Sequence, residues 1–244
     1  MSLTKYRKKL YSNYATIMRG NLRKSMGQEQ HEKQFPIWES YYLKHFPESR
    51  NIKILEIGCG NGGFLYYLKI KKYCDYFGVD ISLDQINEAR SILDNHCVEQ
   101  ADLQEFLKGK IGVYDVIVAR DVLEHFKKEE LFDVLQLIFA ALSDRGRLIM
   151  QSPNAEGIFG ARYRYSDFTH EVAFTQSSIS QVLYAVGFQD VQCYSTGPVI
   201  HGLKSFVRWL FWKMIETIVK FCMLVETGSA FGIYTQNMIG IARK

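Results

Sequence analysis

The sequence has no C-x-x-C pair among its five cysteines (Cys59, Cys74, Cys97, Cys193 and Cys222), so neither a disulfide framework nor a zinc site is indicated. A reducing compartment is expected. There is no internal repeat and no low-complexity tract, and residues 1–20 are basic without the continuous apolar core of a secretory signal. The longest apolar segment, ending at Val225, is broken by Lys204, Arg208, Lys213, Glu216 and Lys220, which argues against a membrane-spanning helix. No stretch interleaves aromatic and basic residues in the manner of an RNA-binding module. A non-enzymatic nucleic-acid binder would rest on the basic N-terminus alone, and no nucleic-acid partner is expected.

What is present is an ordinary globular composition: 244 residues, 47% hydrophobic, enough for a full core. The net charge of +4 is unevenly placed. Residues 1–33 hold eight Lys and Arg against two Glu, and residues 203–225 hold four against one, so the remainder is acidic. The basic ends suit an anionic surface or substrate.

Lys53-Ile-Leu-Glu-Ile-Gly-Cys-Gly-Asn-Gly-Gly63 organises the chain. A β-branched apolar run that ends in glycines reads as a buried strand breaking into a tight loop before a helix, where a small-molecule cofactor binds. Gly58, Gly60 and Gly63 satisfy Gly-x-Gly-x-x-Gly, which admits an NAD-dependent oxidoreductase. Glu56, two residues before the first glycine, points elsewhere. Its carboxylate would repel a pyrophosphate and attract a ligand bearing an amino group and a sulfonium, S-adenosylmethionine.

Leu55-Glu-Ile-Gly-Cys-Gly-Asn-Gly-Gly63, Gly78-Val-Asp80, Ala101-Asp-Leu103 and Tyr114-Asp-Val-Ile-Val-Ala-Arg-Asp-Val-Leu-Glu-His125 follow one another in the order and spacing of a known family. Through them, residues 51 to about 200 resemble the class I S-adenosylmethionine-dependent methyltransferases. The resemblance implies an α/β, Rossmann-like doubly wound sheet of seven strands, mostly parallel, with an antiparallel last strand. The pattern itself predicts strands over 53–58, 76–80, 97–101, 114–119, 146–151 and 189–195, with helices over 63–71, 83–93, 103–108, 128–142 and 176–186. The expected domains are a helical cap over 1–50 with two or three short helices, the core over 51–200, an amphipathic basic-aromatic insertion over 201–228 and a closing strand within 229–244. Charges and Trp209 and Trp212 are expected on the insertion's polar half, a pattern that suits a helix lying in a membrane interface, a helix packed on its own domain, or a dimer contact.

Expected cofactor contacts are Glu56, Gly58, Cys59, Gly60, Asn61 and Gly62 in the first motif, with Asp80 and Ile81 after the second strand. Asp80 stands where an acidic side chain can take both ribose hydroxyls, with Ser82 expected to cap the following helix. By resemblance, Asp102 receives the adenine amino group, Leu103 lies against the ring and Arg120 lines the cleft floor; Asp102 also suits an N-cap. Tyr11, Tyr14, Arg19 and His31 are candidate contacts from the cap.

For the chemical step, Arg162-Tyr-Arg-Tyr-Ser-Asp-Phe-Thr-His-Glu171 follows the fifth strand and is expected to face the cleft. A hydroxyl acceptor must lose a proton as the methyl group arrives, and histidine suits that work. His170 is the first expected base and His125 the second, with Asp167 or Glu171 to orient it. Arg162, Tyr163, Arg164 and Tyr165 are candidates for stacking on a ring and pairing with phosphate or carboxylate. Asp121, Glu124 and His125 form D-x-x-E-H, similar to the E-x-x-E-H with which some quinone O-methyltransferases hold a divalent ion. No metal is expected, and this trio is the alternative. A second resemblance, to methyltransferases of bacterial surface-polysaccharide assembly, implies a sugar or lipid-linked glycan acceptor; a quinone or small aromatic hydroxyl is the alternative. The expected setting is the cytoplasm, with possible peripheral contact at the inner membrane surface, as a monomer or homodimer.

Overall fold

The computed structural model describes residues 5–19 and 27–244, with the side chain of Arg19 outside the described set. Strands β1 (Lys53–Ile57), β2 (Asp75–Asp80), β3 (Val98–Gln100), β4 (Tyr114–Arg120), β5 (Leu142–Pro153), β6 (Gln189–Ser195) and β7 (Asn237–Arg243) form one sheet in the order β3-β2-β1-β4-β5-β7-β6. β1 pairs in parallel with β2 and β4, β2 with β3, and β4 with β5, while β7 is antiparallel to both β5 and β6. The strand order reverses between β1 and β4, where the loops after adjacent strands diverge and leave a crevice at their carboxyl ends.

The central strands are buried on both faces, and alternation decides which core each residue joins. Val116 and Val118 of β4 enter one apolar cluster, and Ile117 and Ala119 the other. The first cluster is covered by the cap and by α5 (Gly63–Ile70) and α6 (Leu83–Ala89); the second by α7 (Leu103–Leu107), α8 (Lys128–Ala141) and α10 (Gln176–Val186). Each fully buried aliphatic side chain in these layers contributes on the order of 1.5–3 kcal/mol. Thr175 caps α10 by accepting from Ser178 N at 3.0 Å, and left-handed Gly187 ends it.

The expected elements are present, with shifted bounds. α6 stops at Ala89, where Ser91 Oγ donates to the Glu88 carbonyl at 2.6 Å. β5 starts as soon as α8 ends because Leu142 pairs with Tyr114 before the register slips to Arg147 opposite Val116. The closing strand begins at Asn237, since the Asn154 side chain donates to the carbonyls of Ile233 and Thr235 and holds that segment in a bend. Four short helices precede the sheet among the described residues: Lys5–Tyr11 (α1), Tyr14–Arg19 (α2), Gln28–Glu32 (α3) and Phe35–Tyr41 (α4). A five-residue helix, α9 (Gly160–Arg164), lies in the segment after β5.

The insertion is a single 25-residue helix, α11 (Leu203–Thr227), closed by left-handed Gly228. Of its two faces, the polar one meets the domain. Ser205 is buried, and Trp209, Trp212, Glu216 and Met223 are half-buried on the side toward the protein. The apolar stripe turns outward, with Leu203, Met214 and Phe221 at 79%, 56% and 64% exposure. Packing of that stripe on its own domain is therefore excluded.

Candidate active site

At the crevice between β1 and β4 lies a cleft of about 380 Å³, within the range of small-molecule sites. Gly58, Gly60, Asp80, Ile81, Asp102, Leu103 and Arg120 line it, so seven of the expected cofactor residues share one surface. Gly58 has φ +63°, and a β-carbon there would lie 2.2 Å from a Val122 methyl, so the loop admits only glycine. Asn61 is half-buried beside the cleft rather than on its lining. Cys59 and Gly62 are buried behind the loop, with Cys59 against Gly78. His31 packs behind it too, against Gly63 and Trp38.

Glu56 corrects the electrostatic argument made from the sequence. It is fully buried and does not line the cleft; its Oε1 accepts from Arg120 Nε at 2.8 Å and pairs with Nη2 at 2.7 Å. Burial pushes its carboxyl up to about 7 even against the Arg120 charge. Any pull on a cationic ligand is thus cancelled at source. Arg120 is fixed in turn between Glu56 and the rings of Trp38, Tyr42 and Phe64, and forms part of the floor.

Asp80 accepts from Gly60 N at 2.9 Å through Oδ2 and from Ser82 N at 2.8 Å through Oδ1. Each oxygen has a second lone pair, so a vicinal diol can still be taken by both. The expected cap is corrected: the Ser82 hydroxyl donates to the Asp84 carboxylate instead of capping α6. Asp102 does cap α7, its Oδ1 accepting from Gln104 N and Glu105 N at 2.9 and 3.3 Å. These donors and acceptors, around a cleft with apolar Val79 and Leu103 in its wall, fit an adenosine with its ribose.

Arg7, Tyr11 and Tyr14 of the cap form the opposite wall. Arg7 was not singled out in the sequence, yet it fastens the cap. It is 2% exposed, donates to Glu130 Oε2 at 2.7 Å and to the His125 carbonyl at 2.5 Å, and pairs with Glu171 Oε1 at 3.2 Å. Tyr6 donates to the same Glu171 carboxylate. Glu171 is therefore a clasp for α1, not an acceptor contact or an orienting group.

Of the expected bases, His125 lines the cleft and His170 does not. His170 lies behind it, ring centroids 4.7 Å apart, with Nδ1 3.1 Å from the Arg164 carbonyl and Nε2 3.9 Å from Glu124. Neither the first-choice base nor Arg164, Tyr165 and Arg162 reach the cleft. Arg164 donates to the Glu171 carbonyl at 2.6 Å, Tyr165 is 77% exposed, and Arg162 is exposed. Tyr163 remains on the lining.

His125 Nδ1 sits 2.8 Å from Thr169 Oγ1, which is 2.7 Å from Asp167 Oδ1. Asp167 also accepts from Thr169 N at 2.8 Å and from Tyr14 OH at 2.5 Å. Burial would raise its carboxyl, but the bonds from Tyr14 and Thr169 outweigh it and hold the group below the usual range. Asp167 is then an ionised acceptor that takes the single hydroxyl proton of Thr169. His125 must carry its own proton on Nδ1, which leaves Nε2 with a lone pair. Burial, then neighbouring His170, lowers the imidazole to about 4, so it is neutral at physiological pH. Thr169 is the second residue that sequence reasoning missed; the only signal was its position between Asp167 and His170.

The D-x-x-E-H trio does not assemble as expected. Asp121 adopts φ +54° and both its oxygens accept from Gln151 Nε2, at 3.0 and 2.9 Å. The groups that come within 4.8 Å of one another are Glu124, His125 and His170. Glu124 is fully buried, and neither carboxylate oxygen has a hydrogen-bond partner. Desolvation first, then Asp121, pushes its pKa well above the usual range.

Comparison with known proteins agrees with this fold. A family model described as "Methyltransferase domain" matches residues 30–193. A solved S-adenosylmethionine-dependent methyltransferase from Archaeoglobus fulgidus is similar at 22% identity and TM-score 0.65, over 99% of this chain and 100% of that one. A Haemonchus contortus phosphoethanolamine N-methyltransferase solved with S-adenosylmethionine is similar at 15% identity and TM-score 0.61, over all of this chain and 60% of that one. A probable (S)-tetrahydroprotoberberine N-methyltransferase from Papaver bracteatum is 36% identical over 85 residues, 32% of this chain and 23% of the relative.

Proposed function

Because the chain belongs to the methyltransferase-domain family and is an S-adenosylmethionine-dependent methyltransferase, we propose that it methylates a hydroxyl oxygen of a sugar or lipid-linked glycan, with His125 as the base. This sets aside the NAD-dependent and nucleic-acid-binding alternatives. The carrying observation is the chain Asp167–Thr169–His125, which ends on the wall of the cleft that holds Asp80 and Asp102. An amine acceptor needs no such device, since it is a nucleophile once neutral; an alcohol keeps its proton until the transition state.

When bound, S-adenosylmethionine supplies an electrophilic methyl carbon on a sulfonium leaving group. The chain supplies position, dryness and a proton acceptor. Asp80 and Asp102 hold the nucleoside, and the Arg7 clasp closes α1 over the cleft. His125 Nε2 takes the acceptor's proton as the oxygen–carbon bond forms and the sulfur–carbon bond breaks; the imidazolium is stabilised through Thr169 by ionised Asp167. Tyr11, Tyr14 and Tyr163 provide flat faces and hydroxyls for a sugar ring.

The test is transfer from labelled S-adenosylmethionine to a panel of glycosides, lipid-linked sugars, phenols and amines. His125→Gln should lower turnover on the accepted alcohol by about 10²- to 10⁴-fold and leave S-adenosylhomocysteine affinity unchanged, whereas His170→Ala should retain more activity. Transfer to amines alone, indifferent to His125, would favour the N-methylation suggested by the Papaver relative. Transfer to a phenol or quinone that needs a divalent ion would favour the metal-assisted alternative.

A further inference from the structure

We infer that α11 is an in-plane anchor that seats the protein on an anionic bilayer surface, on the side where the cleft opens. No helix among the described residues is long and apolar enough to cross a membrane. What α11 (Leu203–Thr227) offers is a stripe that runs from Leu203 to Phe221, about 27 Å at 1.5 Å per residue. Along it Leu203, Val207, Leu210, Met214, Ile218 and Phe221 lie between 41% and 79% exposed. At 100° per residue these six fall within an arc of about 80°, diametrically opposite Ser205 and Trp212, which face the protein. Soluble monomers do not leave a continuous apolar stripe of this length to water.

Charge selects the occupant. Lys204 and Arg208 flank the stripe on one side, Lys213 and Lys220 on the other. Glu216 sits on the protein-facing side, paired with Lys213 at 2.7 Å and Lys220 at 3.0 Å, so its charge is spent inward. Apolar side chains outward and basic residues at the margins form the arrangement of a helix lying at the headgroup–acyl boundary of an anionic membrane. A second copy of the chain fits less well, because antiparallel pairing of two stripes sets Lys213 and Lys220 of each copy against the same lysines of the other, with Glu226 the acidic residue on the opposite flank.

The fold fixes the orientation. β6 is parallel to the central strands and ends at Ser195, so α11 leaves the sheet at the edge that bears the cleft, and β7 re-enters there at Asn237. The helix is held at that edge: Trp212 lies against Gly197, whose carbonyl accepts from Tyr41 OH at 2.5 Å. Ser205 Oγ accepts from His201 N at 2.8 Å and secures the first turn. The protein does not use its tryptophans as membrane anchors; they attach the helix to the domain and leave the aliphatic face for lipid.

The test is co-flotation of the full chain with phosphatidylglycerol–phosphatidylcholine vesicles, with phosphatidylcholine vesicles in parallel. Binding should favour the anionic vesicles. Lys204→Glu with Arg208→Glu should weaken it by more than tenfold, since each basic residue near the surface is worth about 1 kcal/mol, about fivefold. Ile218→Glu with Phe221→Glu should abolish it. Every variant should retain the thermal shift given by S-adenosylhomocysteine, which certifies the fold. No flotation of the wild type, or flotation indifferent to Ile218→Glu with Phe221→Glu, overturns the inference. So does a solution dimer that this double variant dissociates without any vesicle binding, which would assign the stripe to a second copy. Vesicle binding is read without acceptor, so its failure leaves the proposed chemistry standing.

Discussion

Replacing Thr169 by valine removes one hydroxyl and little else, which makes it the sharpest probe of the site. Thr169 is 1% exposed, and its Oγ1 bridges Asp167 Oδ1 and His125 Nδ1. Asp167 survives the loss because Thr169 N and Tyr14 OH still donate to it. His125 Nδ1 is left against a methyl group. An unmet buried polar group costs about 1–3 kcal/mol, and in a chain of this size each kcal/mol shifts the melting temperature by about 2–4 °C. A fall of roughly 2–12 °C is expected from these figures. With its ring unpinned and either tautomer available, His125 should deliver part of its 10²- to 10⁴-fold contribution, so turnover should drop by about 10- to 100-fold. Thr169→Ser should restore turnover to within a few-fold, and S-adenosylhomocysteine affinity should be unchanged in both, since Asp80 and Asp102 are untouched. Imidazole nitrogen shifts give a readout independent of acceptor: the Nδ1–H form in the wild type, and the Nε2–H form gaining in Thr169→Val. A destabilised Thr169→Val enzyme with wild-type turnover and an unchanged tautomer would refute the role given to the chain Asp167–Thr169–His125.

Asp80→Asn cannot accept both backbone N–H bonds and a diol, and losing one charge-assisted bond is worth about 1.5–3 kcal/mol; calorimetry should show S-adenosylhomocysteine binding weakened by about 10- to 100-fold, and a change below threefold would refute the ribose assignment. Arg7→Met leaves Glu130 and Glu171 without their shared partner, so hydrogen exchange in α1 should accelerate while the sheet core is unaffected; unchanged protection would show that the cap is held by something else. Glu124→Gln tests the buried carboxyl through pH. A carboxyl whose folded pKa is raised binds more protons folded than unfolded, so its contribution is present below about 4.5, the ordinary value, and is lost as pH rises toward the folded pKa. Relative to wild type, Glu124→Gln should therefore gain stability as pH climbs from 5 to 8 in thermal melts. A divalent ion at that position would reverse the result, with the substitution abolishing a metal-induced shift.

The sheet was legible because its signal is local and redundant: Val116-Ile-Val-Ala119 is apolar on both faces, Ile54-Leu-Glu-Ile57 is so except at Glu56, and glycines or helix caps punctuate them. The places of Asp80 and Asp102 on the cleft lining were legible for the same reason, since each stands at or just after the end of its own strand. The acceptor half was not. Arg7 meets Glu130 and Glu171 across separations of 123 and 164 residues, and nothing in the run Lys5-Tyr-Arg-Lys-Lys9 marks which of its cations turns inward. His170 ranks ahead of His125 in the sequence, and nothing there shows that the loop after α9 places His125 in front. In α11 the periodicity disclosed two faces but not which of them meets the domain. Ordinary experience assigns the apolar face inward, and here Trp212 over Gly197 decides otherwise.

The place of β7 sets a timetable for synthesis. β6 joins the sheet only through β7, and about forty residues, α11 among them, are made between the two. At about 5–20 residues per second that interval lasts roughly 2–8 s, during which the edges of β5 and β6 are unpaired and the pockets later filled by Ile239 and Met238 stand open on both faces. The segment made in that interval includes the apolar helix itself. A chain whose α11 reaches a bilayer before β7 has inserted would complete its sheet already moored, whereas one held in solution would present an unfinished sheet edge and an uncovered apolar helix together. The demand for a chaperone, or for an available lipid surface, is thus concentrated in the interval before β7 pairs.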